Sequence, residues 1–513
     1  MNRFLGIIGV VSIFAMSSWA NPESTILRLA LPAHQFNWDP QAIEHDDEHI
    51  LFSAVYQGLV RLDANSLEPL PALAQAWQVS ADGLEYRFTL RPKLRFSDGS
   101  AITAQSFYRS ILRLIDPNRA NPNAELLYMI EGVKDYSLGE ESDLRALGIE
   151  VLNEREILFR LRHPAPYFFE ILAHPALSPL SGSQLPLRWS DPRAIPFSGP
   201  YLYAGESEDG IILRRNRLYW QADQVEITTI EVHFHQEEAS IDVQLTEGKL
   251  DWARNLLPSQ LTHDHKFLAT QRYSSQYYTF VAREGAYAQG TVRRALIKLL
   301  PLNMMRDSGM PMAQSLVPPH KDYPTILGIN SDYSEGMSLL EQAGYPEAEG
   351  LPTLHVLLFS LDDPRALLMQ QAWQRAGIDV QLHTLDSSEY YDSSQWDGIA
   401  LVEQGWSGEY LDPLTFLSLW LTDSRYNQST FRSAQFDAMI EASHFLTGKE
   451  RLLKLAQSEA LLMASGVVIP MNFLVDREIV PASAWWGFGR NPLGRQRFEY
   501  LRKSEMISLV DVL

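Results

Sequence analysis

Apolar and polar residues alternate strictly over Leu84-Glu85-Tyr86-Arg87-Phe88-Thr89-Leu90, which places Leu84, Tyr86, Phe88 and Leu90 on one face and predicts a half-buried strand. Asp82-Gly83 just ahead of it is a turn signal, so the chain should reverse there from a strand around Trp77 to Val79. Asp98-Gly99 marks the next turn. Beyond it the spacing changes: Phe107, Ile111, Leu114 and Ile115 share one helical face behind Thr103, a suitable N-cap, and Asp116-Pro117 ends the pattern. The same criteria predict strands at 26–31, 157–161, 227–234, 378–384 and 466–470, and helices at 336–343, 364–375, 434–446 and 450–465. Short strands and helices mixed without regular alternation give an α/β (mixed α+β) class. No internal repeat or low-complexity linker interrupts them, and Pro- and Gly-bearing stretches at 173–200, 315–325 and 344–352 are the candidate joints.

A chain of 513 residues exceeds what one hydrophobic core supports, so two or three domains are expected. The net charge of -20 argues against nucleic acid and against an anionic membrane surface, both of which select basic faces. The first twenty residues, Met1 to Ala20, read as a cleavable export signal. Arg3 supplies the basic start, Phe4 to Met16 the apolar stretch, and Ser18 and Ala20 the small residues before Asn21. The absence of cysteine excludes disulfides, thiolate catalysis, cysteine metal sites and a lipid-anchoring cysteine. A free periplasmic protein is the expectation.

Signatures of catalysis fail one by one. There is no G-x-x-x-x-G-K-[ST], no G-x-S-x-G and no H-E-x-x-H, and the proline of Ser198-Gly199-Pro200 suits a plain turn better than a nucleophile elbow. In Glu44-His45-Asp46-Asp47-Glu48-His49 a helix would bring His45 and His49 to one face at a spacing that can share a zinc or nickel ion. The same residues read as an acidic helix start favoured by the helix dipole, which is the reading adopted. His233-Phe234-His235 would project its two imidazoles from one strand face, and His263-Asp264-His265 reads as loop. No cofactor and no metal is expected, and no enzyme.

Ordered motifs then run through the chain. Tyr56-Gln57-Gly58-Leu59-Val60 is followed by Leu73-Ala74-Gln75-Ala76-Trp77 through Asp82-Gly83, Tyr86-Arg87-Phe88, and Phe96-Ser97-Asp98-Gly99-Ser100 with Ile102-Thr103-Ala104. Ser198-Gly199-Pro200-Tyr201, Arg215-Asn216-Arg217-Leu218-Tyr219-Trp220, Gly248-Lys249-Leu250-Asp251, Val292-Arg293-Arg294-Ala295-Leu296, Gly405-Trp406, Asp412-Pro413 and Asn491-Pro492-Leu493 come after in order. Together these resemble the family 5 extracellular solute-binding proteins, nearest the periplasmic oligopeptide binders of ATP-driven (ABC) importers.

The resemblance implies a two-lobed periplasmic binding protein of three domains with a hinge-closed ligand cleft. A discontinuous first domain would take 21–60, 180–270 and 485–513, a second 61–179 and a third 271–484. It implies a monomer that holds a short peptide and docks on inner-membrane permease subunits. An extended peptide would pair its backbone as a strand adds to a sheet edge, with its amine held by a carboxylate. At the family's aspartate position stands Glu409, and Trp406 would wall a side-chain pocket. Glu44, Tyr273 and Phe488 fall where relatives approach the ligand.

Three departures accompany this. Ser407 and Ser275 replace a disulfide pair, and Glu403 stands where peptide binders carry a basic residue. That reversal implies a preference for cationic or carboxylate-masked ligands. Other solutes of the family (a metal chelate, haem or a murein fragment), a metal-dependent hydrolase and a sensing role are the competing readings.

Overall fold

The computed structural model of the chain describes residues 25–32, 37–43, 46–119, 121–182, 189, 191–235, 238–254, 265–320, 322–481, 485–488 and 491–503. The export signal, Glu44, His45, His263 and Asp264 lie outside them.

The alternating segment forms the strand Glu85–Leu90, with Tyr86, Phe88 and Leu90 buried. It pairs antiparallel with Ala74–Val79 and with Glu156–Arg160, which also pairs with Ile149–Asn153 to complete a four-stranded sheet. Gly83 holds the turn at φ +72°, a backbone region that disfavours a side chain. Thr103 is the extended N-cap of the helix Ala104–Leu114, and Ser106 Oγ accepts the Thr103 N–H at 3.2 Å. Phe107, Ile111 and Leu114 turn inward from that helix onto the sheet.

The predicted helices appear as Tyr333–Gln342, Pro364–Arg375, Ala434–Ser443 and Gly448–Ala464. The strand expected at 466–470 overlaps the first three residues of a much longer one, Val468–Pro481. It pairs antiparallel with His265–Phe280, so His265 begins a strand where a loop was expected.

These two long strands organise the molecule. The larger sheet has ten strands, in the order Val380–His383, Leu354–Leu357, Leu401–Ser407, His265–Phe280, Val468–Pro481, Trp252–Arg254, Ile26–Pro32, Thr229–His235, Gly210–Arg215 and Tyr201–Ser207. We call the described residues before the first long strand and after the second the first lobe, and those between the two strands the second lobe. The strands cross from lobe to lobe, with register shifts between Gln271 and Ser275 and between Gln276 and Tyr277. Charges in the crossing are matched across strands: Arg254 meets Glu478 at 3.0 Å and Asp476 at 2.9 Å, and Arg272 meets Asp476 at 3.0 Å.

Three of the ordered motifs meet in the first lobe. The Gln57 N–H donates to Ser198 Oγ at 3.0 Å, and Gln57 Oε1 accepts from Tyr219 Oη and Trp220 Nε1. Asn216 Nδ2 donates to the Gly199 carbonyl at 3.0 Å. These motifs therefore knit backbone together rather than face a ligand. Gly199 is needed for the approach: a Cβ there would stand 2.5 Å from the Val55 carbonyl carbon and 2.7 Å from the Tyr56 nitrogen. Gly199→Ala is expected to destabilise the protein by at least ~1–3 kcal/mol, because backbone rather than a flexible side chain must move. A fall in the urea midpoint measures it, and an unchanged midpoint refutes it.

Candidate functional site

A cavity of about 710 Å³ lies between the lobes. Ile43, His49, Asn123, Glu125, Leu126, Met129 and Ile171 close it from the first lobe, and Ser274, Gln276, Tyr277, Thr279, Phe359, Tyr390, Trp396, Glu403 to Ser407, Trp420 and Tyr426 from the second. Its long wall is the strand Leu401–Ser407. One edge of that strand pairs with Ser274 to Phe280. On the other edge the parallel strand Leu354–Leu357 accompanies only Leu401 and Val402. Among the described residues no strand pairs with 403–407 on that edge, and all five residues line the cavity.

Contacts across the cleft hold the lobes together. Arg425 reaches Glu125 at 3.0 Å, Lys134 reaches Asp423 at 2.6 Å, and the Leu411 N–H donates to Glu170 at 2.6 Å. Tyr167 stacks on Tyr410 with ring centroids 4.3 Å apart, and His163 on His444 at 3.7 Å.

Glu409 lies at the centre of this closure. Its Oε2 accepts from Arg495 Nη2 at 3.1 Å and lies 3.2 Å from His174 Nε2 and 3.6 Å from His49 Nε2. The three partners belong to the first lobe and Glu409 to the second. Burial alone would raise the carboxyl's pKa, but His49, His174 and Arg495 together hold it well below the usual range.

One ligand atom from each of His49, His174 and Glu409 lies within 4.8 Å of the others, a spacing that a cation could bridge. The proton positions do not suit one. His174 Nδ1 accepts the Ala176 N–H at 3.1 Å, and His49 Nδ1 faces Arg495, which can only donate. Each ring therefore carries its proton on Nε2, the atom a metal would need bare. The cluster is a set of donors converging on one carboxylate. Burial also lowers the His174 pKa, in keeping with a neutral ring.

The other expected residues separate. Trp406 lines the cavity, packing edge-on to Tyr426 with centroids 5.1 Å apart. Glu403 lines it too, but its charge is not offered to a ligand. It accepts from Gln276 Nε2 at 2.7 Å and from the Phe359 N–H at 3.0 Å, and Arg365 stands 3.3 Å away. Burial pushes its pKa up, partly offset by Phe359 and Arg365. The carboxylate is thus engaged within the protein, by two hydrogen bonds and by a guanidinium it shares with Asp363.

Tyr273 and Phe488 do not line the cavity. Tyr273 packs edge-on to Phe416 in the second lobe's core, while its strand neighbour Ser274 faces the ligand space. Phe488 packs on Trp252 at 5.2 Å in the first lobe. Ser275 is buried at the crossing, paired opposite Trp406. His233 and His235 sit on the strand Thr229–His235, which is not part of the cavity wall. His174, Arg495, Arg365 and Arg425 were not foreseen.

The comparisons with known proteins agree with this architecture. The family described as bacterial extracellular solute-binding proteins, family 5 Middle, matches residues 68–428. The chain is 25% identical over 483 residues to the periplasmic oligopeptide-binding protein OppA of Salmonella typhimurium, covering 89% of this chain and 88% of that one. The crystal structure of an oligopeptide-binding protein from Borrelia burgdorferi superposes with a TM-score of 0.83 at 24% identity, covering 94% of this chain and 100% of the other. The Escherichia coli murein tripeptide-binding protein MppA, 21% identical, covers 94% of this chain and 99% of its own, and superposes at 0.83; in its unliganded open form it reaches 0.68. With a match over most of its length and a cleft built between two lobes, the chain belongs to the family 5 extracellular solute-binding proteins.

Proposed function

We propose that the protein is the periplasmic receptor of an ATP-driven importer and binds short peptides in the interlobe cavity. The observation that carries this reading is the strand edge at 404–407 on the cavity wall, which no strand among the described residues covers; the Glu403 carbonyl just before it is taken by Tyr390 Oη. A bare sheet edge presents a row of main-chain donors and acceptors, and an extended peptide satisfies them whatever its side chains. The aromatic residues around it, Trp406, Trp420, Tyr426, Phe359 and Tyr390, offer broad apolar contact to varied side chains. The names of the relatives, an oligopeptide binder in Salmonella typhimurium and a murein peptide binder in Escherichia coli, support the same ligand class.

Met1 to Ala20 serves as the export signal, and the mature chain acts as a monomer without enzymatic activity. Among the described residues no helix is long and apolar enough to cross a membrane. Delivery then requires separate permease subunits that recognise the closed lobes. Native mass spectrometry of protein purified from periplasm without refolding tests the reading. A ladder of released peptide masses is the expected result. A single non-peptide mass would overturn it.

A further inference from the structure

The three carboxylates on the cavity wall are Glu125, Glu403 and Glu409. Each has beside it an arginine that does not itself line the cavity: Arg425 at 3.0 Å from Glu125, Arg495 at 3.1 Å from Glu409, and Arg365 at 3.3 Å from Glu403, a guanidinium that Glu403 shares with Asp363. Glu409, the group expected to hold a ligand amine, has its Oε2 committed to Arg495 and faced by two imidazole N–H groups. An ammonium placed beside it would lie next to a fixed guanidinium and would be buried without a countercharge of its own. A buried charge without a partner is strongly disfavoured.

Two indole donors on the wall are unmatched. Trp406 and Trp420 line the cavity, and the indole N–H of each is buried with no acceptor in the protein. Trp420 is only 4% exposed, so open solvent does not supply one. A buried N–H without an acceptor is costly, and ligand carbonyl or carboxylate oxygens would satisfy it.

We propose that the ligand lacks a free α-ammonium and is an N-blocked peptide, whose capped amine leaves only neutral, acceptor-rich atoms opposite the Glu409–Arg495 pair. This rests on the peptide-binding reading above and narrows it. Arg495 stands in for the ligand amine, so that closing the lobes neutralises Glu409 without help from the cargo. Specificity follows from what the site cannot match, because an ammonium placed at Glu409 meets a carboxylate already paired with Arg495.

Two pentapeptides, Ala-Tyr-Ala-Tyr-Ala with its amine free and the same sequence N-acetylated, are titrated by calorimetry at pH 7 into protein cleared of carried-over ligand. The acetylated peptide should bind at least 10-fold tighter. In Arg495→Gln the order should reverse towards the free amine, because Glu409 then lacks its countercharge. A merely structural role for Arg495 would weaken both peptides alike. Equal or tighter binding of the free amine by the wild-type protein would overturn the proposal while leaving the peptide reading standing. Binding of neither peptide would overturn both.

Discussion

Replacing Arg451 by leucine lowers the stability of the protein by about 3–5 kcal/mol, the range for breaking a buried ion pair from one side. Arg451 lies in the first turn of the helix Gly448–Ala464 and forms a fork with Asp412: Nη1 meets Oδ2 at 2.6 Å and Nη2 meets Oδ1 at 2.9 Å. Both side chains are less than a tenth exposed. Burial alone would lower the Arg451 pKa, and the Asp412 hydrogen bonds more than offset it. Asp412 Oδ1 also accepts the Leu414 N–H, so the carboxylate fixes the turn that follows the cavity strand.

Leucine leaves that carboxylate buried and unpaired. Urea unfolding at pH 7 reads the effect as a lower midpoint with an unchanged slope. The pair Asp412→Asn with Arg451→Met should cost markedly less than the sum of the two single changes, because it strands no charge. A loss below about 1 kcal/mol for Arg451→Leu would place the pair among ordinary surface contacts and refute the argument.

Periodicity located most of the regular structure because the signal is local. The helix behind Thr103 and the strand at 85–90 declare themselves through residues within one or two turns of each other. The two crossing strands declared themselves only at the opening of the second, Val468 to Pro470. His265–Phe280 is mostly polar, and Val468–Pro481 carries a proline and the run Asp476-Arg477-Glu478, which breaks any apolar pattern. These charges are tolerable because Arg254 and Arg272 arrive from neighbouring strands, and that pairing exists only after folding.

The same limit governs the site. Trp406 and Glu409 were found because family motifs frame them. The arginine of Glu409 is 86 residues away and that of Glu403 is 38 away, on unrelated segments, so only the fold could assign their charges to each other. Tyr273 shows how small the margin is. Side chains alternate across a strand, so a one-residue step exchanges the cavity-facing Ser274 for a core-facing tyrosine.

Glu409→Leu is expected to open the lobes without unfolding them. In the closed form the substitution leaves the Arg495 guanidinium and the buried His174 N–H facing an apolar side chain, a penalty of about 3–5 kcal/mol against closure. When the lobes part, those groups return to water on the first lobe's surface, so the penalty does not extend to either lobe's own core. Small-angle scattering should therefore report a larger radius of gyration, while the urea midpoint stays within about 0.5 kcal/mol of wild type. A closed variant, or one whose loss of closure comes with global destabilisation, would show that Glu409 is not the latch. Acid should reproduce the opening in part. The Glu409 pKa in the closed form lies below its ordinary value of 4.5, so its contribution is full above that value and is lost as the pH falls beneath it. Glu170, raised to about 7 chiefly by burial, works in the opposite sense, since protonating it favours the closed form. The contribution of Glu409 is therefore the difference between wild type and Glu409→Gln, in which Glu170 cancels. That difference should be constant near neutrality and shrink below pH 4.5, because a glutamine has no charge to lose.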